Sequence, residues 1–232
     1  MPVILSKGES VSLKKINKSQ LTGVRIGMGW TLENSAVDLD VHVVAYQGIK
    51  PIDHVYYGNE VSSEGADAIY HHGDNLVGGD GESDDEVVDI NLDDIPHSCS
   101  HILIAVDIYS ARSRGQSFAS VKKAYLNVKN CNNECLASYD LADIGSSNST
   151  VCATGVLYRN PDDIHDWMFK PLDQLSSAIG DLKRTFRMSG QGITLDCKHN
   201  SAPTQAARII DEPETEPDTR NWFVRLFSKI FG

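Results

Sequence analysis

The sequence predicts a mainly β protein: an antiparallel β-sandwich followed by a C-terminal amphipathic helix and a flexible tail. Three observations carry that reading. Seven or eight short β-branched runs recur between turn signals up to Phe169. No clear helical segment separates them, which favours a sandwich or barrel over a parallel sheet with crossover helices. After Pro171 the apolar spacing changes from two to three and four. With 232 residues, 41% hydrophobic and 23% charged, the chain is large enough for one well-packed domain with accessories.

In chain order, residues 11–15 read as a short edge strand. Residues 24–30 (VRIGMGW) alternate Val24, Ile26, Met28 and Trp30 on one face, the pattern of a half-buried strand. In 38–46 (DLDVHVVAY), Leu39, Val41, Val43 and Ala45 fall on one side and Asp38, Asp40, His42 and Tyr46 on the other. Further strands are expected at 87–92, 102–108, 118–128, 136–141 and 151–158. Turns are expected at 93–96, 113–115, 130–133 and 145–148. Residues 118–128 also suit a helix through Phe118, Val121 and Tyr125, and Trp167 with Phe169 marks a closing strand. The sandwich is therefore assigned to 1–170.

A helix and extension follow over 171–200. There Leu172, Leu175, Ile179, Leu182 and Phe186 recur at helical spacing, with Lys183, Arg184 and Arg187 where cations favour the helix dipole. An acidic, proline-containing linker spans 201–220. The chain closes on an amphipathic tail, 221–232, that gathers Trp222, Phe223, Leu226, Phe227, Ile230 and Phe231 on one broad face. Such a short segment needs a second surface to be helical, which the protein's own core, a partner groove or a membrane interface could supply; the flexible linker before it favours the last two over self-docking.

The chemistry concentrates in 73–86 (GDNLVGGDGESDDE), where Asp74, Asp80, Glu82, Asp84, Asp85 and Glu86 crowd a glycine-punctuated loop with no Lys or Arg beside them in sequence. Crowded carboxylates repel one another and raise their own pKa values unless a cation neutralises them. Calcium suits the loop, since it takes roughly six to eight oxygen ligands from carboxylates, Asn side chains and carbonyls. The pattern is not an EF-hand: from Asp80, position six is Asp85 in place of glycine and position twelve is Asn91 in place of glutamate. Asp38 and Asp40 project from one strand face about 7 Å apart, within reach of one ion or two neighbouring ions.

The net charge of -11 is local. Fourteen Asp or Glu and no Lys or Arg lie between Pro51 and Ala111. Such a field repels nucleic acid and attracts cations. No apolar stretch has the length of a membrane span, and five irregularly placed cysteines suit a reducing compartment, so a cytoplasmic site is expected, with peripheral contact at the inner face of the membrane through the tail. His97, Cys99 and His101 share alternate spacing but lack a second ligand cluster. Cys131 and Cys135 flank a hairpin turn, and His71 with His72 reads as surface residues near the acidic loop. No phosphate loop, nucleophile elbow or dinucleotide fingerprint occurs.

The opening LSKGESVSLKK, the GMGW and DLDVHV strands, the acidic loop followed by VVDINLDDIP, then RGQSFASV, ASYDL and YRN with Trp167 and Phe169 resemble the TerD family of bacterial tellurium-resistance and stress proteins. The resemblance runs from about Leu5 to Phe169. It implies a calcium-binding β-sandwich without enzymatic activity, working with other proteins of the tellurium-resistance system. Carried over by position, the ion ligands are Asp38, Asp40, Asp74, Asn75, Asp80, Asp84, Asp85 and Glu86. The chain departs from the family pattern in a longer acidic loop around Glu82 and Ser83, a longer segment over 160–166, and everything after Pro171. Two other readings of the residues stay open: a metal-dependent hydrolase acting on a small phosphorylated substrate, and an adaptor whose acidic loop meets a basic partner without an ion.

Overall fold

The computed structural model describes residues 1–32, 37–65, 67–79, 83–141, 147–177 and 179, with the backbone of 186–189 and 192–195. Met1–Asp196 form one compact unit and Cys197–Gly232 a second, which lies outside the described residues together with the expected linker and tail. Among the described residues no helix is long and apolar enough to cross a membrane.

Period-two patterning produces two six-stranded sheets that pack as a sandwich. One runs β1 (Val3–Ile4), β10 (Cys135–Asp140), β9 (Val121–Asn130), β3 (Gly23–Leu32), β7 (Glu86–Asn91), β6 (Ile69–His71). The other runs β2 (Val11–Ser12), β12 (Asp163–Ser176), β11 (Val151–Asn160), β8 (His101–Ile108), β4 (Leu39–Gln47), β5 (Lys50–Val55). Within both sheets the pairings are antiparallel except β1 with β10. A separate hairpin joins β13 (Phe186–Ser189) to β14 (Gly192–Leu195).

The main core lies between the sheets. Ile26, Met28 and Trp30 of β3 and Leu126 and Val128 of β9 meet Val41 and Val43 of β4, Ile104 and Val106 of β8 and Phe169 of β12. Val44, Tyr46, Leu103, Ala105, Val156 and Leu172 form a second cluster, with Ile179 packed against it. These residues alternate with the inter-sheet set, so β4 and β8 are buried on both faces. That explains their nearly unbroken apolar runs.

Two expectations need correction, and one ambiguity is resolved. Residues 11–15 are not one strand: β2 gives way after Ser12 to a short helix, α1 (Leu13–Asn17). Ser12 Oγ accepts from Lys15 N at 3.1 Å, and Asp166 accepts from Ser12 Oγ at 2.6 Å and from Lys14 N at 3.1 Å, so a carboxylate distant in sequence stabilises the helix start. The strand expected over 118–128 forms from Val121 as β9, after a single 3-10 turn, Phe118–Ser120; the alternative helical period is not used, because nine register pairs with β3 outweigh it. Finally, β12 does not stop near Phe169. It pairs with β11 as far as Ser176, which puts Leu172 and Leu175 on a strand; positions 180–185 of the expected helix lie outside the described residues.

Asp166 also accepts from Asn160 Nδ2 at 2.9 Å and is buried, so it ties α1, the β11–β12 turn and β2 together. Replacing Asp166 with Ala removes three acceptor contacts and is expected to lower stability by about 3 kcal/mol, read by chemical denaturation. A loss within experimental error of zero refutes this role.

Candidate metal centre

The centre forms where β4 begins. Trp30, fully buried in β3, donates from its indole Nε1 to Val37 O at 3.2 Å, and Tyr109 N donates to Asp38 O at 2.9 Å. These bonds fix the backbone that presents Asp38 and Asp40, which are only 4% and 2% exposed. Asp38, Asp40 and Asp74 each offer a carboxylate oxygen, all within 4.8 Å of one another; among the described residues no other His, Cys, Asp or Glu trio meets that test. Asp38 Oδ1 and Asp40 Oδ2 are buried without a hydrogen-bond donor. Arg114 Nη1 lies 3.7 Å from the other Asp38 oxygen.

Orphaned carboxylate oxygens this deep are costly. Burial first, and then Asp74, push the Asp38 carboxyl up to about 6, against the opposing pull of Arg114. Burial drives Asp40 up to about 9, reinforced by Asp107, Glu86, Asp38 and Asp74. The donor set is hard oxygen and short of positive charge. It fits a hard divalent cation such as calcium.

The remaining predicted ligands divide by role. Glu86, buried at the start of β7, accepts from Val41 N at 2.7 Å through Oε2 and from Asn75 N at 3.4 Å through Oε1, so it ties the acidic loop to β4. Asn75 Oδ1 accepts from Val77 N at 3.2 Å and shapes the next turn. Asp84 pairs with Lys129 and accepts from Asn127 Nδ2 at 3.2 Å, which fastens the far end of the loop to β9. Its carboxylate lies so close to Gly27 that a Cβ there would collide with it. Asp85 Oδ2 accepts from Trp30 N at 2.8 Å. Asp80 lies outside the described residues.

Sequence reasoning missed several neighbours. Asp107 of β8 stands opposite Asp40 in the β4–β8 register and accepts from His42 Nε2 at 3.0 Å, leaving His42 Nδ1 to accept from His54 Nε2 at 2.9 Å. Its only local signal was a polar residue late in an apolar run. His71 is not a surface residue: it is fully buried, accepts from Gly73 N at 3.1 Å through Nδ1, and directs Nε2 toward Glu86 Oε2 at 3.5 Å. His72 is exposed, as expected, and bonds Asp89 at 2.7 Å. His101 stacks on Tyr46 at 4.7 Å, and burial lowers it to about 4. Cys99 Sγ is directed at a backbone carbonyl. Cys131 and Cys135 are free thiols with separate neighbours, Thr22 and Asn127.

The family model for the TerD domain matches residues 1–185. That match passes Pro171, so the pattern does not end there as expected; it agrees with the continuation of β12. The chain is 34% identical over 182 residues to "Tellurium resistance protein TerD" of Serratia marcescens, covering 75% of this chain and 91% of that protein. It is 34% identical over 189 residues to "General stress protein 16U" of Bacillus subtilis (strain 168), covering 78% and 90%. The fold matches the crystal structure of a homologue of telluride resistance protein (TerD) from Streptomyces coelicolor A3(2) with a TM-score of 0.55 at 16% identity, covering 70% of this chain and 94% of that one.

Asp38 and Asp40 bind protons more tightly folded than unfolded, where aspartate titrates near about 3.9. The stability that these two groups contribute to the ion-free protein is therefore fully present below that value and is lost as pH rises through about 6 for Asp38 and about 9 for Asp40, since the unfolded chain releases these protons first. In chelator, Asp40→Asn is expected to melt with the wild type near pH 4 and about 5 °C above it at pH 8. A gap that does not change with pH contradicts this account.

Proposed function

Because the chain belongs to the TerD family, we propose that it is a calcium-binding, non-enzymatic protein of the bacterial tellurite and stress response. The observation that carries this reading is the pair of buried, donorless oxygens on Asp38 and Asp40, with Asp74 completing a trio of carboxylates within 4.8 Å. The curated relatives named above are called resistance and stress proteins. Asp38, Asp40 and Asp74 hold the ion, with Asn75 and Glu86 beside them. A bound calcium would supply the positive charge that the trio lacks, beside a loop that Glu86 already ties to β4.

Cytoplasmic residence and work alongside other proteins of the tellurium-resistance system belong to the same proposal. So does recruitment through the tail at 221–232, whose apolar and aromatic face carries Trp222, Phe223, Leu226, Phe227, Ile230 and Phe231. Deleting 221–232 is expected to release the protein from the membrane fraction or from captured partners; unchanged distribution in both assays removes the tail from the scheme.

The ion is tested by calcium titration calorimetry on metal-stripped protein, with excess magnesium as competitor and an Asp38→Asn, Asp40→Asn variant as control. The expected result is saturable heat that survives magnesium, raises the melting temperature, and vanishes in the variant. If no heat develops and the melting temperature stays put, the acidic loop is a protein-contact surface and the adaptor reading replaces this one.

A further inference from the structure

Beside the metal centre the chain displays something an ion site does not require. Leu76 and Val77, two and three residues past Asp74, are 60% and 58% exposed. Their presentation is firm. Asn75 N is bonded to Glu86, Val77 N is bonded to the Asn75 side chain, and Gly78, at φ +64, lies so close to the Trp30 indole that a Cβ there would collide with it. Exposed aliphatic side chains on a pinned loop are costly in water and point to a surface that covers them.

The surroundings indicate which surface. Arg114 reaches Asp38 and remains 43% exposed at its side chain, and Arg112 of the same short helix, α2 (Ala111–Arg114), is exposed. On β9, Lys122 and Lys123 are exposed and share a cleft of about 530 Å³ with Gly79, Trp30 and Tyr125. Thus, in a chain of net charge -11, cations stand beside the acidic loop on α2 and on β9. Two exposed aliphatic side chains on a loop with basic groups near its neighbours Asp38 and Gly79 match a lipid interface, where apolar groups enter the acyl boundary and Lys or Arg meet phosphates. They are too small an apolar area to form the centre of a standard protein interface.

We infer that this end of the sandwich docks on an anionic lipid surface in a calcium-dependent manner, with Leu76 and Val77 entering the interface and Arg112, Arg114, Lys122 and Lys123 meeting lipid phosphates. The inference rests on the calcium reading above. Without the ion, Asp74 and its neighbours repel the phosphates; with it, the repulsion is neutralised and the cations prevail. The contact is separate from the tail, whose apolar face needs no ion.

Vesicle co-sedimentation of the full chain tests it, using phosphatidylcholine with and without phosphatidylglycerol, in calcium and in chelator, with calorimetric calcium binding measured on every variant. The wild type is expected to bind only the anionic vesicles more tightly in calcium. Leu76→Ser with Val77→Ser is expected to keep its calcium heat but lose the calcium-dependent part by about tenfold or more. Deletion of 221–232 is expected to leave that part intact. Normal calcium heat without any calcium-dependent vesicle binding, or a Ser variant that binds as the wild type does, overturns the inference and leaves the ion site standing. Calcium-dependent binding to a protein that the Ser variant loses, without vesicle binding, reassigns the surface and overturns it as well. Absence of calcium heat overturns both.

Discussion

Two carboxylates buried at the head of an otherwise apolar strand govern how this end of the sandwich is built. Taking Asp38 and Asp40 out of water is unfavourable by several kcal/mol unless charge or hydrogen bonds compensate, and among the described residues the Asp38 carboxylate has a guanidinium at 3.7 Å beside one oxygen and no donor on the other. The neighbouring contacts follow from that constraint. Trp30 and Tyr109 fix the backbone, and Glu86 holds Val41 N and Asn75 N so that Asp74 stays beside the pair. Asp107 adds negative charge from the next strand while keeping His42 oriented. The unfavourable term is local and concentrated, and it is on this concentration that the proposed ion site rests.

The sandwich can bear this because its centre is so fully apolar. Strands β4 and β8 are covered on both faces, one by the inter-sheet core and the other by the cluster around Tyr46 and Leu103. Eight consecutive β4 residues are buried. A one-residue slip would exchange those faces and move Asp40 away from Asp107, so packing sets the register and the register sets the centre. The opposite end follows a similar logic with a different outcome: buried Asp166 has all its partners and serves purely as a clasp for α1.

Much of this was legible in the sequence wherever the deciding information was local. Strand alternation put Asp38 and Asp40 on one face, and glycine spacing with crowded acids marked the loop. What stayed hidden depended on partners far along the chain. No acid between Pro51 and Ala111 has a cation within that window, yet Lys129 pairs with Asp84 and Arg25 with Asp89 across strand registers that no local pattern encodes. His71 looked exposed because it borders a polar loop, although it ends a strand whose inward face it occupies. The helix expected from Leu172 onward failed where strand pairing with β11 was already in place, a case of tertiary context overriding a helical period.

The acidic loop is fastened independently at its two ends. On its N-terminal side Gly78 sits against Trp30 and Asn75 is bonded to Glu86; on its C-terminal side Asp84 is held by Lys129 and Asp85 by the Trp30 backbone. Each anchorage draws on strands of the sandwich. The carboxylates on either side of positions 80–82 therefore keep their places through contacts that the two sheets themselves supply, so the acidic loop inherits the rigidity of the core it borders.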